Sequence, residues 1–162
     1  MEFLELFEML HKRKIRYLLC GGLAVSIYGI QRTTADIDLL IDFEKENLQN
    51  FTNTMKLLSY VGSLPFSLEM LSTEKLRNQL IEEKNLIVYS FYNSRKNTFL
   101  IDVLVKTPFH FEEIWKRRQE RKVGNTIINL ISVDDLIIMK RSAGRQQDTK
   151  DVELLNKLFK NE

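Results

Sequence analysis

The 162-residue chain has little of what stabilises small secreted proteins. It contains a single cysteine, Cys20, so no disulfide can form within the chain. Its first residues lack the basic start and the apolar run of a secretory signal peptide. Both observations predict a protein of the reducing cytoplasm.

Long apolar runs and a strong charge of one sign are also missing. The most apolar stretch, residues 17–30, is broken by three glycines and is shorter than the roughly 20 residues that a membrane-spanning helix needs. No membrane partner is therefore expected. The 24 basic and 22 acidic residues leave a formal charge of +2, which excludes a protein that holds nucleic acid by bulk charge alone. A local charged site remains compatible with this balance.

The composition does provide a hydrophobic core. Hydrophobic residues make up 44% of the chain and charged residues 28%, with six glycines and two prolines, which excludes a disordered or low-complexity protein. The length fits one domain of about 100–200 residues. We therefore predict a single domain over residues 1–162, with a core over about 1–131 and C-terminal helices over about 132–162.

Hydrophobic periodicity predicts a mixed α+β order. Apolar residues at helical spacing, and runs rich in β-branched and aromatic residues, distinguish helices from strands. The predicted helices span residues 2–13, 23–28, 44–60, 73–84, 111–115, 133–143 and 147–160. The predicted strands span residues 15–20, 36–42, 86–92 and 98–105, with a further pair around 123 and 126–131. Residues 61–72 are predicted to form a loop or a short extended segment.

Three aspartates stand where a folded protein rarely tolerates charge. Asp36 and Asp38 lie two apart on a predicted strand, so their carboxylates share one face about 6.6 Å apart along the backbone. Asp102 lies in the middle of another apolar strand, where a charge needs a partner. If these strands are neighbours, the three carboxylates form the edge of a two-metal site that prefers Mg²⁺, with Mn²⁺ as the alternative ion. Asp42 is too far along the strand to join them and is expected at the start of the next helix.

Residues around the acidic pair suit phosphate binding. Gly21 and Gly22 follow a strand and precede a helix, so the backbone there can approach a phosphate closely. Arg32, Thr33 and Thr34 directly precede the carboxylates and add a cation and hydroxyls able to contact a triphosphate.

Two basic residues near the C-terminus have two interpretations. Lys140 lies on a mainly apolar helical face, and Arg145 follows the same helix. Either they reach the nucleotide phosphates across a cleft, or they pair with Asp148 or Asp151 of the last helix. The sequence leaves both interpretations open.

Together these residues resemble the polymerase-beta-type nucleotidyltransferase superfamily, whose signature is a Gly-Gly or Gly-Ser turn, an acidic pair and a third acid. The pattern here is Gly21-Gly22, then Arg-Thr-Thr-Ala-Asp-Ile-Asp over residues 32–38, then Asp102. This form of the acidic motif, together with residues 134–140 and 144–151, is closer to a small bacterial and archaeal branch that includes the nucleotidyltransferase toxins of abortive-infection systems. The resemblance covers about residues 17–155.

The resemblance implies a nucleotidyltransferase-like mixed β-sheet flanked by helices, and transfer of a nucleoside monophosphate from an NTP to an acceptor hydroxyl with release of pyrophosphate. The acceptor would be RNA, a protein or a small molecule, and a toxin would have a cognate antitoxin as its partner. The alternative is a catalytically silent module that binds nucleotide or a partner protein on the same fold. The implied catalytic and metal-binding residues are Asp36, Asp38 and Asp102, and the implied nucleotide-binding residues are Gly21, Gly22, Arg32, Thr33, Lys140 and Arg145.

Overall fold

In the computed structural model, the described residues 3–160 form one seven-stranded sheet flanked by helices. The strands are β1 (Tyr17–Cys20), β2 (Asp36–Ile41), β3 (Tyr60–Gly62), β4 (Val88–Asn93), β5 (Leu100–Leu104), β6 (Gln119–Val123) and β7 (Thr126–Leu130). The helices are α1 (Leu4–Lys12), α2 (Gly21–Ile27), α3 (Lys45–Leu57), α4 (Glu74–Lys84), α5 (Phe111–Lys116), α6 (Val133–Ala143) and α7 (Gln146–Phe159). The predicted α+β class is confirmed.

Some element boundaries differ from those predicted. Helix α2 begins at Gly21 itself, so the glycine pair forms its first turn instead of preceding it. The predicted loop 61–72 contains the end of β3 and a 3-10 helix over Leu68–Ser72. Residues 1–2 and 161–162 of the predicted domain lie outside the described residues. Among the residues that are described, no helix has the length and apolar character needed to cross a membrane.

The sheet is mixed, and its strand order brings the two acidic strands together. The order is β3-β4-β5-β2-β1-β7-β6, with β2 parallel to β5, β1 parallel to β7 and the other neighbours antiparallel. In this register Asp38 is the partner of Asp102 on β5 and of Cys20 on β1. The condition that the sequence analysis set for an acidic cluster is therefore met.

Alternation along β2 separates a buried face of the sheet from an acidic one. Ile37 and Leu39 are buried, whereas Asp36 and Asp38, which alternate with them along the strand, are only half-buried. Helix α3 covers the first face, where the Phe51 ring packs edge-on against Phe91 of β4, with ring centroids 5.7 Å apart. Helix α2 begins on the other face, beside Asp38. We call this second face the acidic face.

Asp42 supports the start of α3 without capping it. The N-cap is Glu44, whose carboxylate accepts hydrogen bonds from the backbone N–H groups of Glu46 and Asn47. Asp42 accepts the backbone N–H of Glu44 and forms an ion pair with Arg16, which precedes β1. Asp42 thus ties the end of β2 to the neighbouring strand, away from the catalytic candidates.

The α3 packing leads to a stability prediction. Phe51→Ala should lower the free energy of unfolding by about 3–5 kcal/mol, because it removes a fully buried ring and leaves a cavity against Phe91. Leu57→Ala in the same helix should change it by no more than about 0.5 kcal/mol, since Leu57 is largely exposed. Urea denaturation followed by circular dichroism measures both. Similar losses for the two variants would contradict the assignment of the α3 core face.

Candidate active site

The three aspartates lie together on the acidic face of the central strands. Asp38 and Asp102 are direct partners on the parallel strands β2 and β5, and Asp36 lies two residues before Asp38. Neighbouring strands lie about 4.8 Å apart and residues two apart share a face, so the three side chains occupy one patch. The sequence reasoning anticipated this grouping from Asp-x-Asp and an isolated acid in a second strand.

The described residues leave one carboxylate oxygen of this patch without a hydrogen-bond donor. Asp102 Oδ1 is buried and has no hydrogen-bond partner among the described residues. Burial, followed by the neighbouring carboxylates of Asp102 and Asp36, raises the pKa of Asp38 to about 6, although Arg145 and Lys140 act in the opposite direction. An orphaned carboxylate oxygen beside a like charge is the environment that a bound cation would satisfy.

The donor set suits a divalent cation that arrives with a phosphate substrate. Within residues 3–160, no three or more His, Cys, Asp or Glu side chains are arranged to hold a metal ion by themselves. Mg²⁺ does not need such a cage, because it is usually held by one or two carboxylates together with substrate phosphates and water. The hard carboxylate oxygens of Asp36, Asp38 and Asp102, one of them orphaned, match that mode of binding.

Glycine is required where α2 meets the acidic patch. Gly21 has a φ of +66°, and a Cβ atom there would lie 1.8 Å from Asp38 Oδ2. A Cβ atom on Gly22 would lie 3.0 Å from the Oγ1 and Cβ atoms of Thr34, whose hydroxyl contacts the backbone of Asp36. The predicted glycine pair therefore brings the backbone of α2 directly onto the carboxylates.

A network of five charged side chains joins α6, α7 and the segment before β2. Lys140, whose side chain is only 5% exposed, donates hydrogen bonds to Asp148 Oδ1 at 3.2 Å and to Asp151 Oδ2 at 2.7 Å. Arg145 Nε donates to Asp148 Oδ2 at 2.8 Å, and Arg32 Nε lies 3.5 Å from Asp151 Oδ2. The network thus contains three of the predicted nucleotide-binding cations.

The members of this network differ in their access to solvent. The Lys140 ammonium is enclosed by its two carboxylates, whereas the Arg145 side chain is 77% exposed. Burial opposes ionisation of Asp148, but hydrogen bonds from Arg145 and Lys140 outweigh it and lower the pKa of that carboxyl. The predicted alternative, in which Lys140 and Arg145 pair with Asp148 or Asp151, is therefore present in the structure. Nucleotide contacts by Lys140 and Arg145 stay predictions.

The remaining candidate, Thr33, contacts this network through its backbone. It is exposed, and its carbonyl oxygen accepts a hydrogen bond from Arg32. Two residues that pair with the aspartates in the sheet were not predicted as site residues. Ser90 of β4 is the partner of Asp102, and Cys20, the partner of Asp38, donates its thiol to the Asp38 carbonyl oxygen. Only the strand order could have identified them.

The fold and the acidic patch agree with a comparison of protein families. Residues 2–160 match the family described as "Nucleotidyltransferase of unknown function (DUF6036)". The chain belongs to this nucleotidyltransferase family. By its family the protein is a nucleotidyltransferase. This confirms the predicted resemblance at the level of the superfamily. No curated protein matches the chain in sequence.

Solved structures share the fold of this nucleotidyltransferase. The lincosamide antibiotic adenylyltransferase LnuA, in a lincomycin-bound structure, aligns with a TM-score of 0.65 at 14% identity over 97% of this chain and 96% of its own. ANT(2″)-Ia, in complex with adenylyl-2″-tobramycin, aligns with a TM-score of 0.61 at 12% identity over 96% and 86%. An antigenic nucleotidyltransferase-like protein from Paracoccidioides brasiliensis gives 0.55 at 16% over 95% and 73%. At these identities the likeness supports the fold alone.

The contact between Gly21 and Asp38 is testable against a matched glycine. Gly144 has the same φ of +66°, but a Cβ atom there would meet nothing closer than Arg141 O at 3.8 Å. Gly144→Ala should therefore lose only the backbone contribution, about 1–2 kcal/mol. Gly21→Ala should lose about 2–5 kcal/mol, because Asp38 must also move. Equal losses in urea denaturation would show that Gly21 is not pressed against the carboxylate.

The buried lysine provides a second prediction for this nucleotidyltransferase. Lys140→Met should destabilise the protein by about 3–5 kcal/mol, because it leaves two buried carboxylates without their shared cation. Arg145→Met should lower the free energy of unfolding by no more than about 1 kcal/mol, since the Arg145 side chain is largely exposed and its partner Asp148 keeps the ion pair with Lys140. Thermal and urea denaturation compare the two. A Lys140→Met variant as stable as the wild type would refute a structural role for that pairing.

Proposed function

We propose that the chain is a metal-dependent nucleotidyltransferase that transfers a nucleoside monophosphate from an NTP to an acceptor hydroxyl and releases pyrophosphate. Its family supports nucleotidyl transfer in general. The observation that supports metal dependence is the register of β2 and β5, which makes Asp38 the direct partner of Asp102. One buried carboxylate oxygen of Asp102 has no hydrogen-bond partner among the described residues. Three like charges at one patch have no evident structural use without a cation.

The three carboxylates have distinct roles in this proposal. Asp36 and Asp38 would hold the divalent cations that bind the triphosphate, and Asp102 would complete the second metal site and help to activate the acceptor hydroxyl by accepting its proton. When bound, two such cations stabilise the charge that develops on the attacking and leaving oxygens. The acceptor oxygen forms its bond to the α-phosphorus in line as the bond from that phosphorus to the bridging oxygen breaks, and pyrophosphate leaves.

The charged network favours phosphate binding on one side of the carboxylates. Arg145 lies close enough to Asp38 to influence its pKa, and Arg32 is held beside Asp151. Guanidinium groups suit phosphate oxygens because their N–H donors match the geometry of two acceptors. We therefore assign the β- and γ-phosphates to Arg32 and Arg145, beside the backbone of Gly21 and Gly22. Lys140 holds α7 in position through its two ion pairs with that helix.

The ligands of the structural neighbours support a choice of donor and acceptor for this proposal. One is an adenylyltransferase bound to lincomycin, and the other holds an adenylylated tobramycin. Among RNA, protein and small-molecule acceptors, these neighbours favour a small molecule, and they favour ATP as the donor. The resemblance of residues 134–151 supports the further hypothesis of a cytoplasmic toxin with a cognate antitoxin. Growth arrest on expression, relieved by a neighbouring gene product, would test that hypothesis.

Nucleotide transfer is the test of the proposed function. The protein with Mg²⁺ and each α-labelled NTP should transfer label to an acceptor among cellular RNA, protein and small hydroxyl compounds, with release of pyrophosphate. Asp36→Asn and Asp38→Asn should each lower the rate on the order of 100-fold or more, and EDTA should abolish transfer. Asp134→Asn, at an exposed aspartate of α6 paired with Lys160, is the control and should retain activity.

The competing hypothesis is a silent binding module. It predicts that Mg²⁺ and nucleotide raise the melting temperature while no label moves to any acceptor. If transfer is undetectable and Asp36→Asn behaves as the wild type, the enzymatic proposal fails.

A further inference from the structure

On the acidic face, strands β3, β4 and β5 present apolar side chains to solvent. Val61, Tyr92 and Leu100 are each between 42 and 46% exposed. We call these three residues the apolar strip. The opposite face of the same strands is covered, since Phe91 and Ile101 are buried and Phe91 packs under α3. The strip is therefore the open face of a sheet whose other face forms the core.

Strand register makes the apolar strip continuous with the carboxylates. Leu100 is the direct partner of Asp36 on β2. Tyr92 shares its face with Ser90, the partner of Asp102, and Val61 is the partner of Tyr92. With neighbouring strands about 4.8 Å apart, the strip extends about 14 Å from Asp36 across three strands. That length matches a molecule of one to three rings.

The strip and the phosphate-binding candidates lie on opposite sides of the carboxylates. Gly21 follows β1 and contacts Asp38 from that side of β2, and Arg145 acts on the same carboxylate. Strand β5, which begins the strip, lies on the other side of β2. An in-line displacement requires the entering and leaving oxygens on opposite sides of the phosphorus. With pyrophosphate leaving beside Gly21 and Arg145, the acceptor enters over β5.

We propose that the apolar strip is the acceptor site, and that the acceptor is a small, uncharged hydroxyl compound with a flat, apolar ring system. This inference rests on the proposed function, because it uses the direction of the displacement. Tyr92 provides a ring face for stacking, and none of the three strip residues carries a charge. Ser90 and Asp102 lie at the inner end, where the reacting hydroxyl needs polar partners.

The charges nearby favour a small neutral acceptor over a nucleic acid. Binding of a single strand combines stacking with cations that follow the phosphates. The exposed cations after β4, Arg95 and Lys96, line a separate cavity of about 370 Å³ with Leu57 at the end of α3 and with Leu58, which follows it. Because α3 covers the opposite face of the sheet, these cations belong to that side and not to the strip.

A binding experiment tests the strip without turnover. In ¹⁵N-labelled protein, 2-naphthalenemethanol should cause saturable chemical-shift changes at Val61, Tyr92 and Leu100, and Tyr92→Ser should weaken that binding at least 10-fold. Ile127→Ser, at an exposed aliphatic residue of β7 beyond β1, is the matched control and should bind as the wild type. The proposal is overturned if the shifts map elsewhere, if only a single-stranded RNA decamer perturbs the strip, or if dilution shows that a second copy of the chain covers it.

A transfer experiment separates this proposal from the broader one. With Mg²⁺ and α-labelled ATP, uncharged ring-bearing alcohols should accept label, and Tyr92→Ser or Leu100→Ser should lower kcat/KM for the alcohol at least 10-fold with an unchanged KM for ATP. Label found only on RNA or protein overturns the acceptor site while supporting the transferase. If no label moves and Asp36→Asn equals the wild type, the proposed function fails, and the acceptor assignment fails with it even where the alcohol binds.

Discussion

The parallel pairing of β2 with β5 is the constraint on which the rest of the site depends. It sets Asp38 opposite Asp102 on one face of the sheet, where a buried Asp102 oxygen has no donor among residues 3–160. Burial, followed by the like charges of Asp102 and Asp36, raises the pKa of Asp38 to about 6. A protein that keeps such an arrangement needs positive charge to arrive from elsewhere.

The surrounding charges supply only part of that compensation. Lys140, Arg145 and Arg32 carry three positive charges, of which Asp148 and Asp151 neutralise two. One net positive charge therefore faces three carboxylates, so the combined site retains an excess of two negative charges. Buried carboxylates on α7 hold these cations in place, so that the cations do not pair directly with Asp38. In the proposed function, divalent cations that bind together with a triphosphate would supply the missing positive charge.

Sequence reasoning succeeded where local pattern decides structure and stopped where packing decides it. Asp36 and Asp38 share a face because strands alternate, and Asp102 was recognisable as a charge within an apolar run. That β2 and β5 are neighbours depends on long-range pairing, so Ser90 and Cys20 could not be placed beside the acids. Whether a lysine on an apolar helical face is enclosed by α7 depends on how two helices meet. The sequence therefore left the pairing of Lys140 open.

In the proposed reaction, the phosphate end and the acceptor end lie on different halves of the sheet. On the β1 side, Gly21 touches Asp38 so closely that a single added carbon would displace the carboxylate, which ties the phosphate end to the fold itself. On the β5 side, Val61, Tyr92 and Leu100 are exposed, and the covered face beneath them already supplies the core contacts of these strands. Substitutions along the strip thus alter what can bind while leaving the carboxylates in register. A fold built this way keeps one phosphoryl chemistry and can change its acceptor at little cost in stability.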